Sequence, residues 1–84
     1  MASFIKIKVL AFGVARDITG AGSVELQFPE GTTLAQVQRH FQEKYPAFNR
    51  LSNLLLAINA EYAAPDTMLR ENDEVALIPP VSGG

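Results

Sequence analysis

The chain has 84 residues, 48% of them hydrophobic and 19% charged, which suits one packed domain and argues against disorder. Seven Lys+Arg against nine Asp+Glu give a net charge of −2, so no basic field gathers phosphates and nucleic acid is not an expected partner. With no cysteine and a single histidine, disulfides, thiolate metal sites, thiol nucleophiles and a multi-histidine zinc site within one chain are excluded.

The stretch from Phe4 to Phe12 alternates, with Ile5, Ile7, Val9 and Ala11 on one face and Lys6 and Lys8 on the other. That period predicts a strand. The same two lysines interrupt the apolar N-terminus, so no signal-peptide core forms, and no run approaches the ~20 apolar residues of a membrane span. A cytoplasmic protein without a membrane partner is expected. Gly20-Ala-Gly22-Ser23 signals a turn, and Val24 to Phe28 alternates again. The two strands read as a hairpin with a loose connection around Asp17 to Ser23.

Pro29-Glu-Gly31 stops the second strand. Thr33-Leu-Ala-Gln36 then fits a capping box, and Leu34, Val37, Phe41 and Tyr45 recur at helical spacing. Pro46 ends that helix. Leu54 to Ile58 is a short apolar run, read as a well-buried strand, and Asn59 to Tyr62 turns into a brief return strand. Arg70 to Asp73 is a polar turn before the last strand, Glu74 to Ile78. The element order predicts an α+β fold in two layers, a mixed sheet of about five strands with one main helix packed across it. This is the β-grasp, or ubiquitin-like, arrangement. A domain over residues 1–78 and an extended tail over 79–84 complete the expected organisation.

Several motifs fail. Gly20-Ala-Gly22 lacks the third glycine of a dinucleotide loop, since Glu25 stands where it is needed. No Gly-x4-Gly-Lys segment exists, so the chain is not expected to bind ATP unaided. His40 has no Ser or Asp arrangement around it and reads as a solvated or half-buried helix residue. Glu71, Asp73 and Glu74 lack the spacing and glycine of a calcium loop and read as a solvated turn.

The C-terminus differs. Pro79 and Pro80 offer no N–H donor and end the last strand sharply, and their fixed φ holds the chain beyond them extended. Six residues, 79–84, reach about 20 Å. Gly83 and Gly84 carry no side chains and suit a narrow channel that grips backbone. Parity adds a second feature. Leu10 and Phe12 share the outward parity of Lys6 and Lys8, while Ile78 shares that of Glu74. If the first and last strands are neighbours, Leu10, Phe12 and Ile78 form an apolar patch at the root of the tail, of the kind that marks a partner surface.

Two segments carry a resemblance. Val9-Leu-Ala-Phe-Gly-Val-Ala-Arg-Asp-Ile-Thr-Gly20 and Asp73-Glu-Val-Ala-Leu-Ile-Pro-Pro-Val-Ser-Gly-Gly84 resemble the opening and closing segments of the small subunit of molybdopterin synthase. The resemblance implies a sulfur carrier rather than an enzyme in its own right. Its terminal carboxylate, here on Gly84, is adenylated by a ubiquitin-activating-like adenylyltransferase that uses ATP and Mg. It is then converted to a thiocarboxylate with sulfur from a donor protein. The tail, Pro79, Pro80, Val81, Ser82 and Gly83, enters the large catalytic subunit of a heterotetramer of two large and two small subunits. The sulfur builds the dithiolene of molybdopterin. Phe12, Tyr62 and Ile78 match apolar contact positions of the family, which adds Tyr62 to the parity set. Arg16 also matches, without a role that can be derived. Asn72 stands where a glycine is common, and Asn tolerates the left-handed backbone. A sulfur carrier for thiamine thiazole synthesis, a covalent modifier of lysines and a plain interaction domain with an inert tail remain as alternatives.

Overall fold

A computed structural model describes residues 3–50 and 54–79. Its strands are β1 (Phe4–Ala11), β2 (Ser23–Pro29), β3 (Leu55–Ile58), β4 (Glu61–Tyr62) and β5 (Glu74–Ile78), and its α-helices are α1 (Val14–Thr19) and α2 (Leu34–Lys44). A 3-10 turn spans Pro46–Arg50. The strands form one five-stranded sheet in the order β2-β1-β5-β3-β4. β1 pairs antiparallel with β2 and parallel with β5, and β5 pairs antiparallel with β3. The expected mixed sheet, single main helix and adjacency of first and last strands are all present.

Alternation decides which face is dry. Ile5, Ile7, Val9 and Ala11 of β1, Phe28 of β2, Leu56 of β3, and Val75 and Leu77 of β5 point to one side and are buried. Against them α2 lays Leu34, Val37 and Phe41, spaced so that three successive turns present one apolar stripe. Each such side chain contributes about 1.5–3 kcal/mol when fully buried. The start of α2 is held as the sequence anticipates: Thr33 Oγ1 accepts from Gln36 N at 3.4 Å, and Gln36 Oε1 accepts from Thr33 N at 2.8 Å. The helix stops at Lys44 because Tyr45 precedes a proline, which disfavours the helical conformation there. The 3-10 turn then delivers Phe48, 1% exposed, beneath Phe41 and Tyr45 with ring centroids 6.2 and 6.1 Å away.

Three segments differ from the sequence reading. The run Leu54 to Ile58, read as a well-buried strand, forms β3 over Leu55–Ile58 only, and Leu55 is 46% exposed because one face of the strand looks away from the core. The connection between β1 and β2 is not merely loose, since residues Val14–Thr19 form α1. Six residues are too few to nucleate a helix by propensity. Its stability comes from Ala15, 0% exposed in the core, and from glycines at both ends. Gly13 adopts φ 54°, ψ −130°, and Gly20 adopts φ 80°, where its N–H caps Arg16 O at 2.9 Å. The acidic turn before β5 is also more than solvated surface. Asp73 accepts from Asn59 Nδ2 at 2.9 Å and from Arg70 N at 2.8 Å, and Glu71 accepts from Lys6 N at 2.6 Å. These carboxylates tie the turn to the β3–β4 connection and to β1.

Candidate functional site

Among the described residues no helix packs on the second face of the sheet, and its register builds a groove. Leu10 of β1 lies opposite Ala76 of β5, Ala76 opposite Ala57 of β3, and Ala57 opposite Tyr62 of β4. A single row therefore runs large, small, small, large across four strands, so the two alanines form a floor between Leu10 and Tyr62. One step toward the C-terminal end of β5, Ile78 lies opposite Leu55, and Phe12 succeeds the end of β1, its N–H donating to Leu77 O at 3.2 Å. The resulting groove encloses about 380 Å³ and is lined by Leu10, Phe12, Ala57, Ala76, Tyr62 and Ile78, with Ala60 and Glu74 at its other end.

All four sequence-selected apolar residues thus meet in one place. Phe12 is 49% exposed and Tyr62 71%, while Leu10 and Ile78 are half-buried between their neighbours. Side chains of that size left in water on a surface with small residues between them suit an apolar partner group. Sequence reasoning missed Leu55, 46% exposed beside Ile78, and the alanine floor. An unbroken apolar run has no polar residue to mark its parity. The two-residue turn Asn59-Ala60 was the available signal, because it forces Ala57 opposite Tyr62 and hence places Leu55 and Ala57 on the same face.

The groove leads to the root of the tail. Pro79, directly after Ile78, is buried, and its ring packs at the β1–α1 turn, where a Cβ on Gly13 would stand 3.4 Å from Pro79 Cγ. The tail positions Pro80, Val81, Ser82, Gly83 and Gly84 lie outside the described residues. Arg16 is exposed on α1 and does not line the groove; a Cβ on Gly22 would stand 3.6 Å from its Nε.

Other candidates stay apart from this face. His40 is half-buried on α2, its ring edge-to-face with Phe28 and Phe41 at 5.3 and 5.5 Å, and its Nε2 is buried without a hydrogen-bond partner. Among the described residues no group of three or more His, Cys, Asp or Glu is placed to hold a metal ion. No helix among them is long and apolar enough to cross a membrane.

A mixed sheet in the order β2-β1-β5-β3-β4, its first and last long strands parallel neighbours and one main helix across one face, is the ubiquitin-like β-grasp class. The chain belongs to the ThiS family, whose model matches residues 9–84. It is 37% identical over 83 residues to the molybdopterin synthase sulfur carrier subunit of Arabidopsis thaliana, covering 98% of this chain and 86% of that one. Among solved structures it resembles a chain of the Helicobacter pylori 26695 complex of subunits 1 and 2 of molybdopterin-converting factor. That match has a TM-score of 0.67 and 25% identity, and covers 95% of this chain and 100% of the other. The small archaeal modifier protein 1 of Methanosarcina acetivorans shares the fold, with a TM-score of 0.78 at 24% identity over 98% and 99% of the two chains.

Proposed function

We propose that this chain is the sulfur-donor subunit of a molybdopterin synthase, a carrier and not a catalyst by itself. The observation that carries the reading is the apolar groove of Leu10, Phe12, Tyr62 and Ile78, which ends directly at Pro79, in a chain of this family. Such a surface docks the large catalytic subunit while the segment after Pro79 extends into it. The relative in complex with its subunit 2 supports a large-subunit partner. A heterotetramer of two large and two small subunits is the assembly we infer.

The chemistry is dictated by the groups that the chain lacks. A carboxylate is a poor electrophile. The Gly84 carboxylate attacks the α-phosphate of ATP, with Mg, on a separate adenylyltransferase, and pyrophosphate leaves. Sulfide-level sulfur delivered by a donor protein then attacks the acyl carbon, the bond to the phosphate breaks, AMP leaves, and a thiocarboxylate remains on Gly84. This chain has neither nucleotide loop nor cysteine, so both activation and sulfur come from other proteins. Val81, Ser82 and Gly83 are small enough to thread a channel, and the large subunit directs the sulfur to the pterin precursor. These steps belong in the cytoplasm, where thiols stay reduced.

Intact mass measurement of the chain from its native cell tests the reading. A species with one oxygen exchanged for sulfur is expected, and it disappears when Gly84 is deleted or one residue is added after it, with the melting temperature unchanged. A lysine conjugate in its place would make the chain a covalent modifier. Normal molybdopterin formation by the Gly84 deletion would overturn the proposal.

A further inference from the structure

The end of the groove away from Pro79 is closed by a residue in an unfavourable conformation. Asn59 and Ala60 are the two central residues between β3 and β4, with φ of 52° and 71°. A two-residue turn with both φ positive favours glycine at its second position. Asn59 tolerates that conformation, and it also forms two bonds to Glu74 at the start of β5 and one to Asp73 just before it. Its N–H donates to Glu74 O at 2.8 Å, its Oδ1 accepts from Glu74 N at 3.0 Å, and its Nδ2 donates to Asp73 Oδ1 at 2.9 Å. Ala60 has no polar group with which to compensate. Its methyl gains nothing for the turn and costs what any Cβ costs in the left-handed region.

Ala60 also lines the groove, beside Glu74 and Tyr62. Glu74 and Ile78 are four residues apart on one strand, so Ala60 stands about 13 Å from the tail end of the groove. Backbone strain that persists at a rim pinned by three hydrogen bonds is a sign of function when the strained residue faces the ligand side. We propose that the Ala60 methyl is a specificity-determining contact, setting the size of the apolar group that the far end of the groove admits from the large subunit. The inference rests on the groove being the docking surface.

The test measures stability and affinity on the same variants. Ala60→Gly relieves the positive φ and is expected to raise the melting temperature by about 2–8 °C, after the extra freedom of glycine in the unfolded chain is subtracted. The same change removes a methyl that is exposed in the free chain and that the docked partner covers, and weakens titration into the large subunit of molybdopterin synthase about 3- to 4-fold. Ala60→Asn keeps a side chain that accepts positive φ but sets a larger, polar amide where the methyl meets the partner's apolar group, and should weaken affinity about tenfold or more with the fold intact. Phe12→Ala serves as the control for the groove itself. Wild-type affinity for both Ala60 variants, with weak binding by Phe12→Ala, would overturn the role of Ala60 and leave the groove reading standing. Wild-type affinity for Phe12→Ala as well would overturn both. A lower melting temperature for Ala60→Gly would remove the strain on which the inference depends.

Discussion

Replacing Tyr62 by alanine separates docking from folding better than any other change in the groove. Tyr62 is 71% exposed in the free chain, on a two-residue edge strand. An aromatic side chain offers about 150–250 Å² for burial, so roughly 45–70 Å² is already covered and roughly 110–180 Å² awaits a partner. At about 25 cal/mol per Å², the covered part is worth about 1–2 kcal/mol of stability and the free part up to about 4 kcal/mol of binding. The phenol hydroxyl remains wet at a rim and shape complementarity is incomplete, which brings the binding loss to about 2–3 kcal/mol. Tyr62→Ala should therefore weaken affinity for the large subunit roughly 30- to 150-fold while the chain stays folded. Isothermal titration of the purified variant reads the first quantity and a urea titration the second. An affinity within about threefold of wild type would refute the assignment of the open face. A stability loss larger than the binding loss would show that Tyr62 serves mainly to hold β4 on the sheet.

Two further outcomes test the tail root and the core. Pro79→Gly/Pro80→Gly should still accept adenylation and sulfur yet bind the large subunit about 1–3 kcal/mol more weakly, because free glycines have more backbone entropy to lose. Because Pro79 is itself buried, the double variant should also melt lower than Pro80→Gly alone, and equal melting would show that the contact with Gly13 is idle. His40→Leu removes a buried nitrogen without a partner from between Phe28 and Phe41 and should raise stability by about 1 kcal/mol in denaturant titration. A decrease would mean that the imidazole edge contributes more by packing than its nitrogen costs.

Features that obey local rules were legible in the sequence. Period-two alternation marked β1 and β2, the polar turn Arg70 to Asp73 marked the start of β5, the capping box and the 3.6-residue stripe marked α2, and Pro46 marked its end. Strand parity placed Leu10 and Phe12 outward with Lys6 and Lys8, and Ile78 outward with Glu74, since residues two apart along a strand share a face. Contacts between residues distant in sequence settled the rest. Helix α1 exists because the core accepts Ala15, an effect with no local signature in six residues. The acidic turn looked solvated because its partners, Asn59 and Lys6, lie far away along the chain. The apolar run Leu54 to Ile58 carried no polar mark of its own, and apart from the Asn59-Ala60 turn its faces were assigned by pairing with β4 and β5, which exposes Leu55 and makes Ala57 a floor. Parity supplies a direction for each strand alone; a concave site requires the register that sets Leu10, Ala76, Ala57 and Tyr62 in one row, and register is a property of the assembled sheet.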